Sequence, residues 1–531
     1  MRHSLAREFA IPVTATTPHE PGARLFGHPR GLYYCFFTEL WERFSFYGMK
    51  ALLFFYITKY HGFDDTRGYL LIGTYGGLAY ALPVAGGLVA DRLLGMRKAV
   101  VAGGALLCLG HFGMAWEGEA ARVVDGVMVR DAIALQVFHL SLALIAVGVG
   151  LLKPNISTIV GRLYAQDDPR REAGFTIFYL GINVGAFASS LVCGWLGETW
   201  GWGWGFGAAG IGMLVGLLAF VSGRRHLEGH AEPPDPARLR APWRLGLSHR
   251  AWIGLGTFAA VLVVWALLQV DLPFSDDDGM TATELVALVL AAVLLAWLVP
   301  VIRRECTPVE RDRMMVLTVL TATSAIFWTL YEQSYGTWNA FSDRVMHREA
   351  FGVEWTASQL TALGSFFIFV LSPVFAWLWP RLDAHGRNPS TPAKFGGALA
   401  LAGAATLVLG FAAHHPDAGG LAGLWSLVLA YFVIEIGEML ISPIGLSAVT
   451  TLSVPRVVSL MMGVWFLASA FGETLAGRLG TMAAMPPETP PAAALEIYAT
   501  LFDRLGWFGL GSGALLLWLA PRLARRMHGI R

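Results

Sequence analysis

The sequence predicts an all-α protein that crosses a membrane fourteen times. Three observations predict it. Only 15% of the 531 residues are charged and 55% are hydrophobic, against about 25% charged in average globular chains. Apolar stretches of the roughly 20 residues that a spanning helix needs recur along the whole chain. Lys and Arg gather in alternate loops, as they do when helices thread back and forth across a bilayer. The same composition excludes other classes. A net charge of +1 leaves no electrostatic footprint for nucleic acid. Cys35, Cys108, Cys193 and Cys306 have no CxxC or metal spacing, so neither a disulfide framework nor a metal centre is expected.

Residues 1–28 are polar and lack the apolar run of a signal peptide; they read as a short, partly disordered cytoplasmic tail. The spans then fall near 31–60, 66–92, 97–117, 131–162, 171–196, 202–222, 250–271, 281–302, 311–341, 356–381, 393–413, 421–451, 456–482 and 496–521. Basic residues follow the even-numbered spans: Arg92, Arg97 and Lys98, then Arg162, Arg170 and Arg171, then Arg224 to Arg250, Arg303 to Arg313, and Arg381 to Lys394. The intervening loops are poorer in Lys and Arg or are balanced by acid, as in 275–278. The positive-inside rule places both termini in the cytoplasm. The longest internal polar segment is 223–249, with Pro233, Pro234 and Pro236 at its centre, and it reads as a linker. The two spans after it, 250–302, carry almost nothing polar at membrane depth. Without them the chain divides six plus six, as 29–222 and 303–531.

Charges inside spans carry the functional signal, because one at the centre of a membrane helix costs roughly 2.5–3.5 kcal/mol on insertion scales. In Glu39-x-x-Glu42-Arg43-Phe44-x-Phe46-Tyr47-Gly48 the ionisable residues, Phe46 and Tyr47 share one helical face. A self-neutralising cluster that only packs helices is the structural alternative. The stretch resembles the first-helix motif of the proton-coupled oligopeptide transporters, a branch of the major facilitator superfamily. Gly86-Gly87 through Asp91, Arg92, Gly95, Arg97 and Lys98 resembles that superfamily's loop motif between spans two and three, a conformational latch. Gly148 to Ser157, with Lys153 and Pro154, resembles a span-four motif; Phe175 to Ala186, with Asn183, a span-five signature. Asn183 suits either a substrate hydrogen bond or an interhelical one. Phe327 to Gln333 and Glu435 to Ser447 resemble motifs of spans nine and twelve. Trp465 and Ser469 match cavity positions, whereas Glu473 is less expected there. The resemblance covers residues 31 to about 480.

The resemblance implies a major facilitator fold of twelve core helices plus an inserted pair, with substrate bound between the two bundles. It implies proton coupling through Glu39, Glu42, Arg43 and Glu332. Arg43 and Lys153 suit a peptide carboxylate, Glu332 and Glu438 its amino terminus, and Tyr47, Tyr80, Trp328 and Trp465 an unselective aromatic wall. Lys153 with Glu438 reads as an inner gate, Arg67 with Asp343 as an outer one. The expected protein is a monomeric bacterial inner-membrane symporter of di- and tripeptides, with protons as its energy source and no cofactor. A carrier of another small zwitterion or organic anion is the alternative within this class. A membrane enzyme would need a catalytic constellation that the scattered His111, His139 and His347 do not form. A receptor or scaffold would not need Glu39, Glu42, Lys153, Glu332 and Glu438 together. Three departures stand out: Phe46 for a substrate-facing tyrosine, Tyr331 for a second acid, and Gly364-Ser365 for an Asn-Pro pair. They predict a more apolar site than is usual in the family.

Overall fold

The computed structural model describes residues 24–165, 168–227, 229–269, 280–454 and 457–530. The acidic segment 275–278 and most of the N-terminal tail lie outside them. Local signals explain where the helices begin and end. α1 (Arg30–Phe55) passes through one π-type turn, Tyr56–Tyr60, into the first loop. α2 (Asp65–Val89) begins where Asp64 accepts from the Arg67 amide at 2.8 Å, satisfying an orphan first-turn N–H. Gly95 turns the chain at φ +80° into α3 (Met96–Ala115), a conformation glycine adopts without a Cβ penalty. Asp131 caps α4 (Ala132–Arg162); α5 (Arg171–Thr199) and α6 (Trp202–Ser222) follow. Ser248 caps α7 (His249–Leu267), and a Thr281–Glu284 capping box opens α8 (Ala282–Glu305). A second box, Thr307 with Glu310, opens α9 (Pro308–Tyr331). The chain then tightens into a 3₁₀ turn, Glu332–Tyr335, breaks at Gly336 and resumes as Thr337–Val345. α10 (Ala362–Ala384), α11 (Thr391–His414), α12 (Leu424–Leu452), α13 (Val458–Gly480) and α14 (Pro491–Arg526) complete the order.

Among the described residues, twelve helical segments are long and apolar enough to cross a membrane. α1 and α14, 26 and 36 residues long, fall below that apolarity, α1 because of its internal charges. Two polar segments are more ordered than their composition suggests. Residues Arg24–Leu25 pair with His28–Pro29, and Arg170 holds the turn through the Gly27 carbonyl at 2.8 Å. The 223–249 segment contains a short helix, Pro236–Arg240, and docks under the α2–α3 turn: Arg97 pairs with Glu232 at 2.7 and 3.0 Å, and its amide donates to the Ala231 carbonyl.

α1 packs on α5 and α6, α3 on α4 and α6, and α2 on α4. In the second set α11 packs on α12 and α14, and α9 on α11, α12 and α13. The two sets meet along α2–α13 and α5–α10. At the first seam the backbones touch: a methyl on Gly477 would sit 2.6 Å from the Tyr69 carbonyl oxygen and 2.8 Å from Gly73 Cα. Glycine is what lets two membrane helices approach this closely. α7 and α8 sit outside both sets, against α4 and α13 respectively. Only 11% and 17% of their apolar windows are buried, against 56% for α2 and α13, so their apolar surface faces outward.

The seam is sealed at one face. Arg344 grips Asp65 through two bonds of 2.6 and 2.7 Å, and Lys59 reaches Asp343 at 2.8 Å. Asn339 and Ser358 both donate to the Ala51 carbonyl, at 3.0 and 3.1 Å, and the Ser358 amide donates to Glu198 at 2.8 Å. At the opposite, linker-bearing face, no ion pair or hydrogen bond among the described residues joins α1–α6 to α9–α14.

Candidate functional site

Glu39, Glu42 and Arg43 lie on one buried face of α1. Arg43 donates to Glu42 through both Nε and Nη2, and its Nε stands 3.4 Å from Glu39 Oε1. The guanidinium also lies 5.2 Å from the Phe46 ring and 5.8 Å from that of Tyr47, within cation–π reach. Its charge is already matched by two carboxylates, so it has less to offer a substrate carboxylate than its sequence position implies.

Two turns further along α1 is a residue the sequence reading passed over. Lys50 is 2% exposed, and its Nζ stands 2.6 Å from Glu332 Oε2 and 2.6 Å from Glu473 Oε1. Glu332 comes from the 3₁₀ turn after α9 and Glu473 from α13, so Lys50 ties the first helix set to two elements of the second. The ammonium also lies 4.7 Å from the Tyr335 ring. Burying an ion costs several kcal/mol unless it is paired, and this lysine is paired twice. The signal was present: Lys50 is eleven residues after Glu39, three helical turns, and so continues the same face.

Lys153, from α4, is the contrasting case. Its Nζ sits 4.2 Å from the Tyr80 ring, and no carboxylate among the described residues comes within 4.0 Å. Glu438, from α12, has Ser442 Oγ at 3.5 Å from Oε1 and lies within side-chain reach of Glu435 and Tyr331, while its buried Oε2 accepts no hydrogen bond. Lys153 and Glu438 are therefore unpaired with each other in this conformation. One turn before Glu438, Glu435 is fully buried and accepts from the Tyr331 hydroxyl at 3.0 Å. Glu435 also explains Gly364. A Cβ at 364 would lie 2.8 Å from Glu435 Oε1, so a carboxylate from α12 fills the space where an asparagine side chain was expected from α10. The expectation of a more apolar site fails there, because the missing amide is replaced by a charge-bearing group.

The remaining predicted residues divide between the cavity and the packing. Tyr47 stacks on Tyr335 across the seam, with centroids 6.0 Å apart, and Trp328 packs edge-on to Tyr331 at 5.2 Å. Tyr47, Tyr80, Trp328 and Lys153 are all half-buried. Phe46 is 1% exposed and stacks on Tyr75, so its lost hydroxyl is a packing change and not a cavity change. Asn183 donates to the Tyr179 carbonyl of its own helix at 3.0 Å, which is neither of the two bonds expected of it. Trp465 is buried against Gly445 and Phe395, and Ser469 is buried beside it on α13.

The expected outer latch is a correction. Arg67 donates to the Leu268 carbonyl at the end of α7, at 3.3 Å, while Asp343 pairs with Lys59 and Arg348. The α2 N-terminus points Arg67 toward the inserted helices, leaving closure to Arg344–Asp65 and Lys59–Asp343. In the α2–α3 motif Asp91 stands 3.9 Å from Arg162, both half exposed. Gly95 packs against the Pro233 backbone, Arg97 holds Glu232, and Gly87 rests against Pro154. The Arg97 guanidinium keeps the Glu232 carboxyl below its ordinary value. Arg92 and Lys98 stand at the same turn.

Two packed helix sets, a seam sealed at one face, and ionisable side chains buried along it define a membrane transporter. The chain belongs to the POT family, whose sequence profile matches residues 97–498. It is 34% identical to the peptide transporter YePEPT of Yersinia enterocolitica subsp. palearctica over 97% of this chain and 98% of that one. It is 31% identical to dipeptide and tripeptide permease A of Erwinia pyrifoliae over 96% and 97%. The crystal structure of the peptide transporter POT in complex with sulfate superposes with a TM-score of 0.79, at 34% identity over 96% and 98% of the two chains.

Proposed function

We propose that the protein imports di- and tripeptides across the bacterial inner membrane, driven by protons, through alternating access. The carrying observation is the pairing pattern at the seam: Lys153 has no carboxylate within 4.0 Å, and the Glu438 carboxylate, set beside Glu435 and Tyr331, has no cation within 4.0 Å among the described residues, on helices from opposite sets. A peptide brings the two groups they lack, a carboxylate for Lys153 and an ammonium for Glu438. Charge-assisted bonds of this kind are each worth about 1.5–3 kcal/mol. The half-buried aromatic rings supply area for any side chain without reading it.

In this reading all fourteen helices span the membrane, and both termini and the 223–249 linker are cytoplasmic. Residues 29–222 and 303–531 are the two moving bundles, with 250–302 an inserted pair. The sealed face is then the outer one, and the conformation is open to the cytoplasm. Lys153 and Glu438 pair when the cytoplasmic side closes. Glu39, Glu42, Arg43 and Glu332 carry the proton coupling. A proton entering down a 100 mV potential brings about 2.3 kcal/mol, enough for uphill accumulation. The working unit is a monomer. Counterflow of labelled dialanine in proteoliposomes tests the reading: exchange above protein-free vesicles is expected, and its absence across a panel of di- and tripeptides overturns it.

A further inference from the structure

We propose that Glu473 is a second proton-carrying carboxylate of the outer gate, sharing Lys50 with Glu332 so that either acid alone can hold the gate. The inference rests on the transporter reading and adds a residue to it. The geometry is symmetric: one ammonium, two carboxylate oxygens, both at 2.6 Å. All three side chains are buried; the nearest polar groups are phenols and an amide, and beyond them Lys153 on α4 and Glu438 on α12 act through space on Lys50 and Glu332, with opposite charges. Tyr335 lies under the ammonium, Tyr69 and Gln333 line the small cavity beside the two acids, and Tyr75 and Tyr80 approach from α2. On α1 the next charge is Arg43, already committed to Glu39 and Glu42. No second cation within 4.0 Å balances the second acid among the described residues.

Charge counting sets the protonation. With both acids ionised, the cluster is a buried net −1; with one proton shared between them, it is neutral. A dry site favours the neutral arrangement, so the closed gate holds one resident proton between the two acids. Opening moves the lysine away with its ammonium intact. The remaining carboxylate takes one proton from the outer water, leaving two neutral acids. On reclosure one proton departs toward the cytoplasm and Lys50 pairs again, so one proton crosses per cycle. At alkaline pH the resident proton is lost as well, and opening then needs two protons. The space for this acid comes from Gly76, where a Cβ would overlap Glu473 Oε2.

The test reads gate opening without any substrate. Ser358 is fully buried at the sealed face, so a cysteine at Ser358→Cys reacts with an impermeant maleimide only when the gate opens. The four native cysteines are buried, and the chain without this substitution is the control. On the alkaline limb the labelling rate should fall with about two protons per opening in the parent and about one in Glu473→Gln. Glu332→Gln should remain pH-dependent, and Glu332→Gln/Glu473→Gln should lose this dependence. Gly76→Ala, which displaces Glu473 without removing its charge, should behave as Glu473→Gln. Equal proton order in the parent and Glu473→Gln overturns the proposal, as does a Glu332→Gln profile as flat as the double variant's. Dialanine counterflow by the parent is measured separately, so failure of the peptide reading is visible independently of this result.

Discussion

In the proposed reading Lys153 and Gly364 set what the site binds. If Lys153 receives the peptide carboxylate, Lys153→Gln removes one charge-assisted bond. Dialanine should then bind roughly 10–150-fold more weakly, while a C-terminally amidated dipeptide should lose little. Equal losses for both peptides in a competition assay would move the carboxylate site elsewhere. Gly364→Asn should lower uptake, because its Cβ alone meets Glu435 Oε1 at 2.8 Å. Combining it with Glu435→Ala should recover part of the loss, a coupling that a double-mutant cycle measures. If the two changes combine additively, the α12 carboxylate does not occupy the position of the missing asparagine. At this scale Glu39, Glu42, Arg43, Lys153, Glu332 and Glu438 were legible, because a charge inside an apolar stretch needs a reason. Lys50 was passed over because the motif was closed at Gly48, two residues short of the next charge on that face. Glu473 and Glu435 were visible as acids, but their partners come from other elements, and sequence spacing does not report those.

Helices behave here as levers held at their ends. The α2 N-terminus and the Thr337–Val345 helix are joined by Arg344–Asp65, with Lys59–Asp343 beside it. Removing one partner of a largely buried pair costs up to about 3–5 kcal/mol, so Arg344→Gln should loosen the sealed face. Maleimide labelling of Ser358→Cys should then accelerate at least several-fold in that background; an unchanged rate would make the pair incidental to closure. At the other face, the linker clip has its own pH signature. Arg97 holds the Glu232 carboxyl below its ordinary 4.5, so the folded-state value is the depressed one. The clip's stabilisation is therefore fully present above 4.5 and is lost as pH falls through the lower folded value. Exchange of the Arg97 amide, corrected for intrinsic rate, should quicken over that window, and Glu232→Gln should remove the pH dependence. Helix positions were legible because apolar length and capping residues are local. The break at Gly336 and the order in 223–249 were not, since both depend on tertiary contacts.

At the scale of the whole molecule, the proposed cycle rocks two helix bundles about a seam whose two faces take turns to be bonded. The expected six-plus-six division rests on the linker and the apolar pair that follows it. Which face is closed could not, because both states use one sequence and differ only in which partners meet. The Arg67–Asp343 latch failed for that reason: charge and loop position made it plausible, and Lys59 and Arg344 were equally available. The central claim is that proton entry is coupled to peptide movement, and driven uptake tests it most directly. Proteoliposomes holding the purified protein are given an inward proton gradient and labelled dialanine. The account predicts accumulation above the external concentration, collapse of that accumulation with a protonophore, and survival of simple exchange once the gradient is gone. Uptake that only equilibrates, with or without the gradient, would contradict it.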